Sequence, residues 1–119
     1  MVGLADTWVV TFEINDGPSQ DLNSRSLRST LKKMISYGLF LGWGAAPVCS
    51  SFSVAITPPV RNLEFPFGRP DASEKMKVKM EDGNQCALWL LDLASLSVSK
   101  GIHFWIENPD LSWFFRLPP

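Results

Sequence analysis

The sequence predicts an α/β layered fold with a mostly parallel sheet. Three observations carry this expectation. Runs rich in β-branched and aromatic residues alternate with helical stripes. The run Leu39–Gly44 is apolar throughout, which suits a parallel strand covered on both faces. The order along the chain is strand, helix, strand, loop, helix, strand, the alternation of a parallel α/β sheet. Such sheets bind ligands at the carboxyl ends of their strands.

"TWVVTFEIND" (7–16) reads as a buried strand running out into a loop at Gly17-Pro18. In "DLNSRSLRSTLKKMISYG" (21–38), Leu27, Leu31, Met34 and Ile35 form a helical stripe. Asp21, Asn23 or Ser24 caps its start and Gly38 ends it. "LFLGWG" (39–44) is the second buried strand. A Pro-rich loop follows, from about 45 to 72, holding Pro47, Pro58, Pro59, Pro66 and Pro70. A loop of that length is unusual in a compact domain unless it is functional. Residues 73–101 read as a long helix with a weak point at Gly83, capped by Ser73 and ended by Gly101, with Leu90, Leu93, Ala94 and Val98 on its apolar face. "IHFWIEN" (102–108) is the third strand, and "PDLSWFFRLPP" a closing turn or short helix. No repeat or linker divides the chain, so residues 1–119 read as one domain.

A hydrophobic share of 45% with 19% charged residues is that of a globular chain rather than a disordered one. A net charge of −1 counts against a stand-alone nucleic-acid or anionic-membrane binder. The apolar runs fall short of the roughly 20 residues that cross a bilayer. "MVGLADTWVV" lacks the basic start and sustained apolar core of a signal peptide. Cys49 and Cys86 lie in unlike contexts and form neither a disulfide framework nor a metal set, so a reduced, intracellular chain is expected.

Three chemically notable groups fall at the three expected strand ends: Glu13, Cys49 and Glu107. Cys49 lies in a turn rich in hydroxyl and backbone N–H donors, where a thiolate would be favoured as a nucleophile; the competing reading is a small buried side chain. Glu107 follows "HFWI", and desolvation there would let it share a proton with a ring nitrogen; the competing reading is an acid in an Asn-Pro turn. Glu13 has the place of an acid that holds a ribose, or else of a solvated loop acid. Asp21, by local rules, is a helix cap.

His103, the one histidine, lies within a strand and has no evident orienting partner, which argues against a Cys–His hydrolase. Asn108-Pro109-Asp110-Leu111 lacks the second proline and aromatic of the amino-methylating tetrad, and there is no Gly-rich phosphate loop. Arg61, Arg69 and Lys75 read as solvated surface, with phosphate contact as the alternative. Trp89, Trp105 and Trp113 read as packing groups.

"PVCSSFS" (47–53) resembles the Pro-Pro-Cys-x-x-Phe-Ser motif of cytosine-5 DNA methyltransferases, with Val48 in place of the second proline. "IENPDLSW" (106–113) resembles their Glu-Asn motif in the Glu-Asn-Pro form of divergent members, and "VVTFEIND" with the following "DL" resembles their cofactor-binding strand. The resemblance runs over about residues 8 to 119. It implies a partial Rossmann-like methyltransferase fold with the first strand and cofactor glycine loop missing. The family's later Arg-bearing, target-recognition and closing cofactor motifs are also expected to be missing.

The resemblance implies that Cys49 attacks C6 of a cytosine flipped out of DNA while Glu107 holds N3 and the exocyclic amine. It gives Glu13 the ribose and Asp21 the adenine edge of S-adenosylmethionine. Pro47, Ser50, Ser53 and Asn108 become the substrate loop, Pro47 shaping the cysteine turn and Asn108 fixing the Glu107 turn. The expected function is an S-adenosylmethionine-dependent DNA cytosine-5 methyltransferase-like fragment that does not turn over as an isolated chain. The alternative is a catalytically inactive remnant serving as a structural or interaction module. DNA is the implied partner, with a completing chain or a second copy of this one, and neither membrane nor metal.

Overall fold

A computed structural model describes residues 2–4 and 7–119, with side chains for 8–13 and 15–119. It is a small compact α/β domain in which two helices pack on one face of a two-stranded parallel sheet. The elements are β1 (Val2–Leu4), β2 (Thr7–Val9), α1 (Arg25–Ser36), β3 (Gly42–Ala45), α2 (Glu74–Lys100) and β4 (His103–Ile106).

Local chemistry sets the helix limits. The Ser24 side chain accepts from the Leu27 N–H at the start of α1, and Gly38, at φ +68°, lets the chain turn away after its end. The Ser73 side chain accepts from the Met76 N–H to start α2. Gly101 ends it in the left-handed conformation, its N–H donating to the carbonyls of Ser97 and Val98. Met80, Ala87, Leu90, Leu93, Ala94 and Ser97 make the buried face of α2, at the three- and four-residue spacing that places them on one side.

α2 is the crossover between β3 and β4, which pair in parallel with Trp43 opposite Phe104 and Ala45 opposite Ile106. Side chains alternate across a sheet. Trp43, Ala45 and Ile106 therefore face the helices and join Phe52, Ala87, Leu90 and Phe114 in one core cluster. Trp43 also touches the second cluster of Ile35, Leu93 and Ile102, and its indole Nε1–H donates to Ser97 Oγ at 2.8 Å. Gly42, Gly44, His103 and Trp105 point the other way, where the sheet is bare. Trp105 lies across Gly44, where a Cβ would come within 2.0 Å of the indole ring, and remains 59% exposed.

Three expectations are corrected. The first strand is neither buried nor part of this sheet: Thr7–Val9 pairs antiparallel with Val2–Leu4 in a hairpin of its own, and Trp8, Val9 and Val10 are exposed. A hairpin closes over a short loop, whereas parallel pairing requires a long crossover before any ladder bond forms, so local pairing wins. The mostly parallel sheet thus becomes one antiparallel and one parallel pair. The second strand begins at Gly42 rather than Leu39; Leu39 and Leu41 lie outside it and are exposed, and only one face of the sheet is covered. Gly83, expected to weaken α2, lies inside an unbroken helix for a packing reason given below.

Candidate active-site cleft

β3 and β4 end side by side, and two hydrogen bonds, one from backbone and one from a side chain, extend their contact beyond the strands. The Glu107 N–H donates to the Ala45 carbonyl at 2.8 Å. One residue on, Asn108 Nδ2 donates to the Pro47 carbonyl at 3.1 Å. The segments leaving the two strands therefore run together and enclose an open cleft of about 570 Å³, lined by Pro47, Val48, Cys49, Ser50, Glu107 and Asn108 among others. That volume lies within the range of roughly 300–1,000 Å³ usual for small-molecule sites.

Cys49 and Glu107, distant in sequence, thus share one cleft at the carboxyl ends of adjacent parallel strands. Both are exposed. The buried-cysteine reading of Cys49 is overturned, and the desolvation expected at Glu107 is not found, because β4 turns that residue toward the bare face of the sheet. Asn108 ties the Glu107 turn to the cysteine segment, and its Oδ1 is buried with no hydrogen-bond partner among the described residues.

The Cys49 turn is firmly held from behind. The Phe52 N–H donates to the Cys49 carbonyl at 2.9 Å, and the Trp113 N–H donates to the Phe52 carbonyl at 2.9 Å. Ser51 and Phe52 are buried against α2 at Gly83, where a Cβ would meet Ser51 Oγ at 2.7 Å and Phe52 Cε2 at 2.9 Å. Glycine is what allows loop and helix to approach this closely.

Arg61 completes the support. Its Nε donates to the Ser51 carbonyl at 2.8 Å, and its Nη2 to Ser51 Oγ at 3.0 Å. Nη1 donates to the Pro66 carbonyl and to Asn84 Oδ1, both at 2.8 Å, and the guanidinium lies 4.1 Å over the Phe52 ring. Only 2% exposed, Arg61 is not the solvated or phosphate-facing residue its sequence context suggested. Burial pushes its pKa down to about 10. The signals available in the sequence were Gly83, unusual inside a helix, and an arginine directly after the largely apolar stretch 54–60.

The remaining expected site residues lie elsewhere. Ser50 lines the cleft, while Ser53 Oγ, outside it, accepts from the Ala55 N–H. Glu13 is exposed, and its Oε1 accepts from the Asn15 N–H. Asp21 Oδ1 accepts from the Asn23 N–H in a turn before α1, so it shapes the helix entry without being the cap itself, which is Ser24. Neither acid lines the cleft. Cys86 is half-buried on α2, where burial raises its thiol pKa. A second cavity of about 320 Å³ lies beside Pro58, Pro59 and Met76; there Arg69 is hydrogen-bonded to Asp71 and holds its carboxyl below the usual carboxylate range.

Among the described residues, no three His, Cys, Asp or Glu side chains are grouped to hold a metal ion, and no helix is long and apolar enough to cross a membrane. The chain matches no known family model, no curated protein and no solved structure.

Proposed function

We propose that this chain is a cytosine-5 DNA methyltransferase-like fragment, a partial Rossmann-like domain whose cleft takes a pyrimidine base flipped out of DNA. The observation that carries the reading is the convergence of Cys49 and Glu107 on one cleft at the ends of adjacent parallel strands. The Cys49 thiolate adds to C6 of the base, and the π pair of the C5–C6 bond moves toward C5 and N3. The Glu107 carboxyl donates to N3 and accepts from the exocyclic amine, which stabilises the charge displaced there. The hydrogen bond from Asn108 Nδ2 to the Pro47 carbonyl ties the two segments together beside the cleft. Expulsion of the Cys49 thiolate, with return of the N3 proton to Glu107, restores the C5–C6 double bond; C5 would give up its own proton only after taking another group.

S-adenosylmethionine would supply the methyl group accepted at C5. By resemblance its ribose and adenine go to Glu13 and Asp21, but each of these carboxylates is engaged in its own local turn and neither lines the cleft. The described residues do not form a pocket that fits this cofactor. That same observation favours the second reading, an inactive remnant that keeps the base cleft as an interaction site.

The test is covalent capture of a single-stranded oligonucleotide carrying 2-pyrimidinone at one cytosine position, a ring more electrophilic at C6. Intact-mass analysis should show a one-to-one adduct that Cys49→Ser abolishes and Cys86→Ser leaves in place. A folded chain that forms no adduct overturns base capture. Adduct formation without binding of S-adenosylmethionine by calorimetry, using Glu13→Ala as control, selects the inactive remnant over the enzyme.

A further inference from the structure

Arg61 presents a problem of charge. A buried cation is ordinarily matched by a carboxylate, because removing it from water costs several kcal/mol. None contacts Arg61 among the described residues. Its partners are neutral: the carbonyls of Ser51, Pro66 and Met80, the Ser51 hydroxyl, the Asn84 amide oxygen and the Phe52 ring. They come from three separate segments: the turn that begins at Cys49, the loop around Pro66, and α2. Asn84 extends the set by donating from Nδ2 to the Phe67 carbonyl at 2.8 Å. A planar fork with five donors can satisfy such a scattered set of acceptors, and an ammonium cannot.

The contacts concentrate behind the reactive turn. Two of them end on Ser51, and the ring beneath the guanidinium belongs to Phe52, whose N–H closes the turn on the Cys49 carbonyl. From the other side, the Trp113 N–H ties Phe52 to the segment that follows Glu107 and Asn108.

We infer that Arg61 is a positioning residue for Cys49: by fixing Ser51 and Phe52 against α2 it holds the thiol in register with Glu107 across the cleft. The alignment role rests on the proposed base capture, whereas the holding of the turn does not. Arg61 does not line the cleft. It acts through the turn, as a second layer of contacts must if a reacting group is to stay within a fraction of an ångström of its working place.

Arg61→Lys keeps the charge and loses the fork. Asn84→Ala keeps Arg61 and removes one of its acceptors, and serves as the milder variant should Arg61→Lys not fold. Three rates are compared with wild type: adduct formation with the 2-pyrimidinone oligonucleotide, alkylation of Cys49 by iodoacetamide, and amide exchange at Phe52 and Trp113 against Ile35 in α1. The expected result is a tenfold or greater loss of adduct rate with alkylation changed less than threefold. Exchange at Phe52 and Trp113 should rise at least tenfold more than at Ile35. A general loss of stability would raise exchange at all three amides together. Adduct and alkylation rates falling in parallel, or no local rise in exchange, would overturn the inference. If the wild-type chain forms no adduct, base capture fails, and the exchange at Phe52 and Trp113 still decides whether Arg61 holds the turn.

Discussion

Gly83→Ala separates helix propensity from tertiary packing by the sign of its effect. Within α2, replacing glycine by alanine favours the helix by about 1 kcal/mol. The new Cβ, however, would lie 2.7 Å from Ser51 Oγ and 2.9 Å from Phe52 Cε2, well inside van der Waals contact. Neither neighbour can yield cheaply. Ser51 is held by Arg61 through both its carbonyl and its hydroxyl, and Phe52 by the Trp113 N–H and the guanidinium over its ring. Overpacking typically costs about 1–3 kcal/mol; with both neighbours held, the upper part of that range, about 2–3 kcal/mol, applies, and a net destabilisation of about 1–2 kcal/mol is expected once the propensity gain of about 1 kcal/mol is set against it. With an unfolding entropy of about 2.1 cal/mol/K per residue, a chain of 119 residues should lose about 4–8 °C in Tm. Thermal unfolding followed by circular dichroism reads this directly. An unchanged or raised Tm would refute the reasoning, because it would mean that the cysteine turn does not press on α2 at this point.

Other predictions follow from single contacts. Ser97→Ala leaves the Trp43 indole N–H without its 2.8 Å acceptor and should cost about 1–3 kcal/mol, seen as a lower denaturant midpoint at unchanged m-value. The two thiols should differ in alkaline reactivity: burial raises the pKa of Cys86, while Cys49 is exposed, so iodoacetamide at pH 8 should label Cys49 first by peptide mass mapping. The sign for stability follows from the same shift. The folded state favours the Cys86 thiol over the thiolate, so this contribution is complete below the usual thiol pKa and is lost as pH rises through the raised one; Cys86→Ala should remove that alkaline decline. Asp92→Asn breaks the exposed Lys32–Asp92 pair between α1 and α2, and should cost less than about 1 kcal/mol at low salt and nothing measurable at 1 M salt.

Much of the local structure was legible in the sequence because it depends on neighbours along the chain. Ser73 and Gly101 mark the limits of α2, and Leu31 with Ile35 mark the buried stripe of α1, because capping and helical periodicity are local effects. The parallel pairing of β3 with β4 followed from their apolar runs and the long helix between them. The pairing of Cys49 with Glu107 was legible for the same reason: two parallel neighbours end on the same edge of their sheet.

What the sequence did not determine depends on competition between distant partners. The run from Thr7 has the composition of a core strand, yet it pairs with Val2–Leu4, because composition does not say which partner a strand finds first. Glu13 therefore does not reach the sheet edge that holds Cys49 and Glu107. Arg61 reads as a surface cation until the loop folds back and gives it uncharged acceptors on three segments, and Gly83 reads as a helix defect until Ser51 and Phe52 arrive against it. The two cleft-lining residues, Cys49 and Glu107, were written in the chain. Which side chains support them from behind was decided only by tertiary structure, because burial and close approach are properties of groups brought together from far apart in sequence.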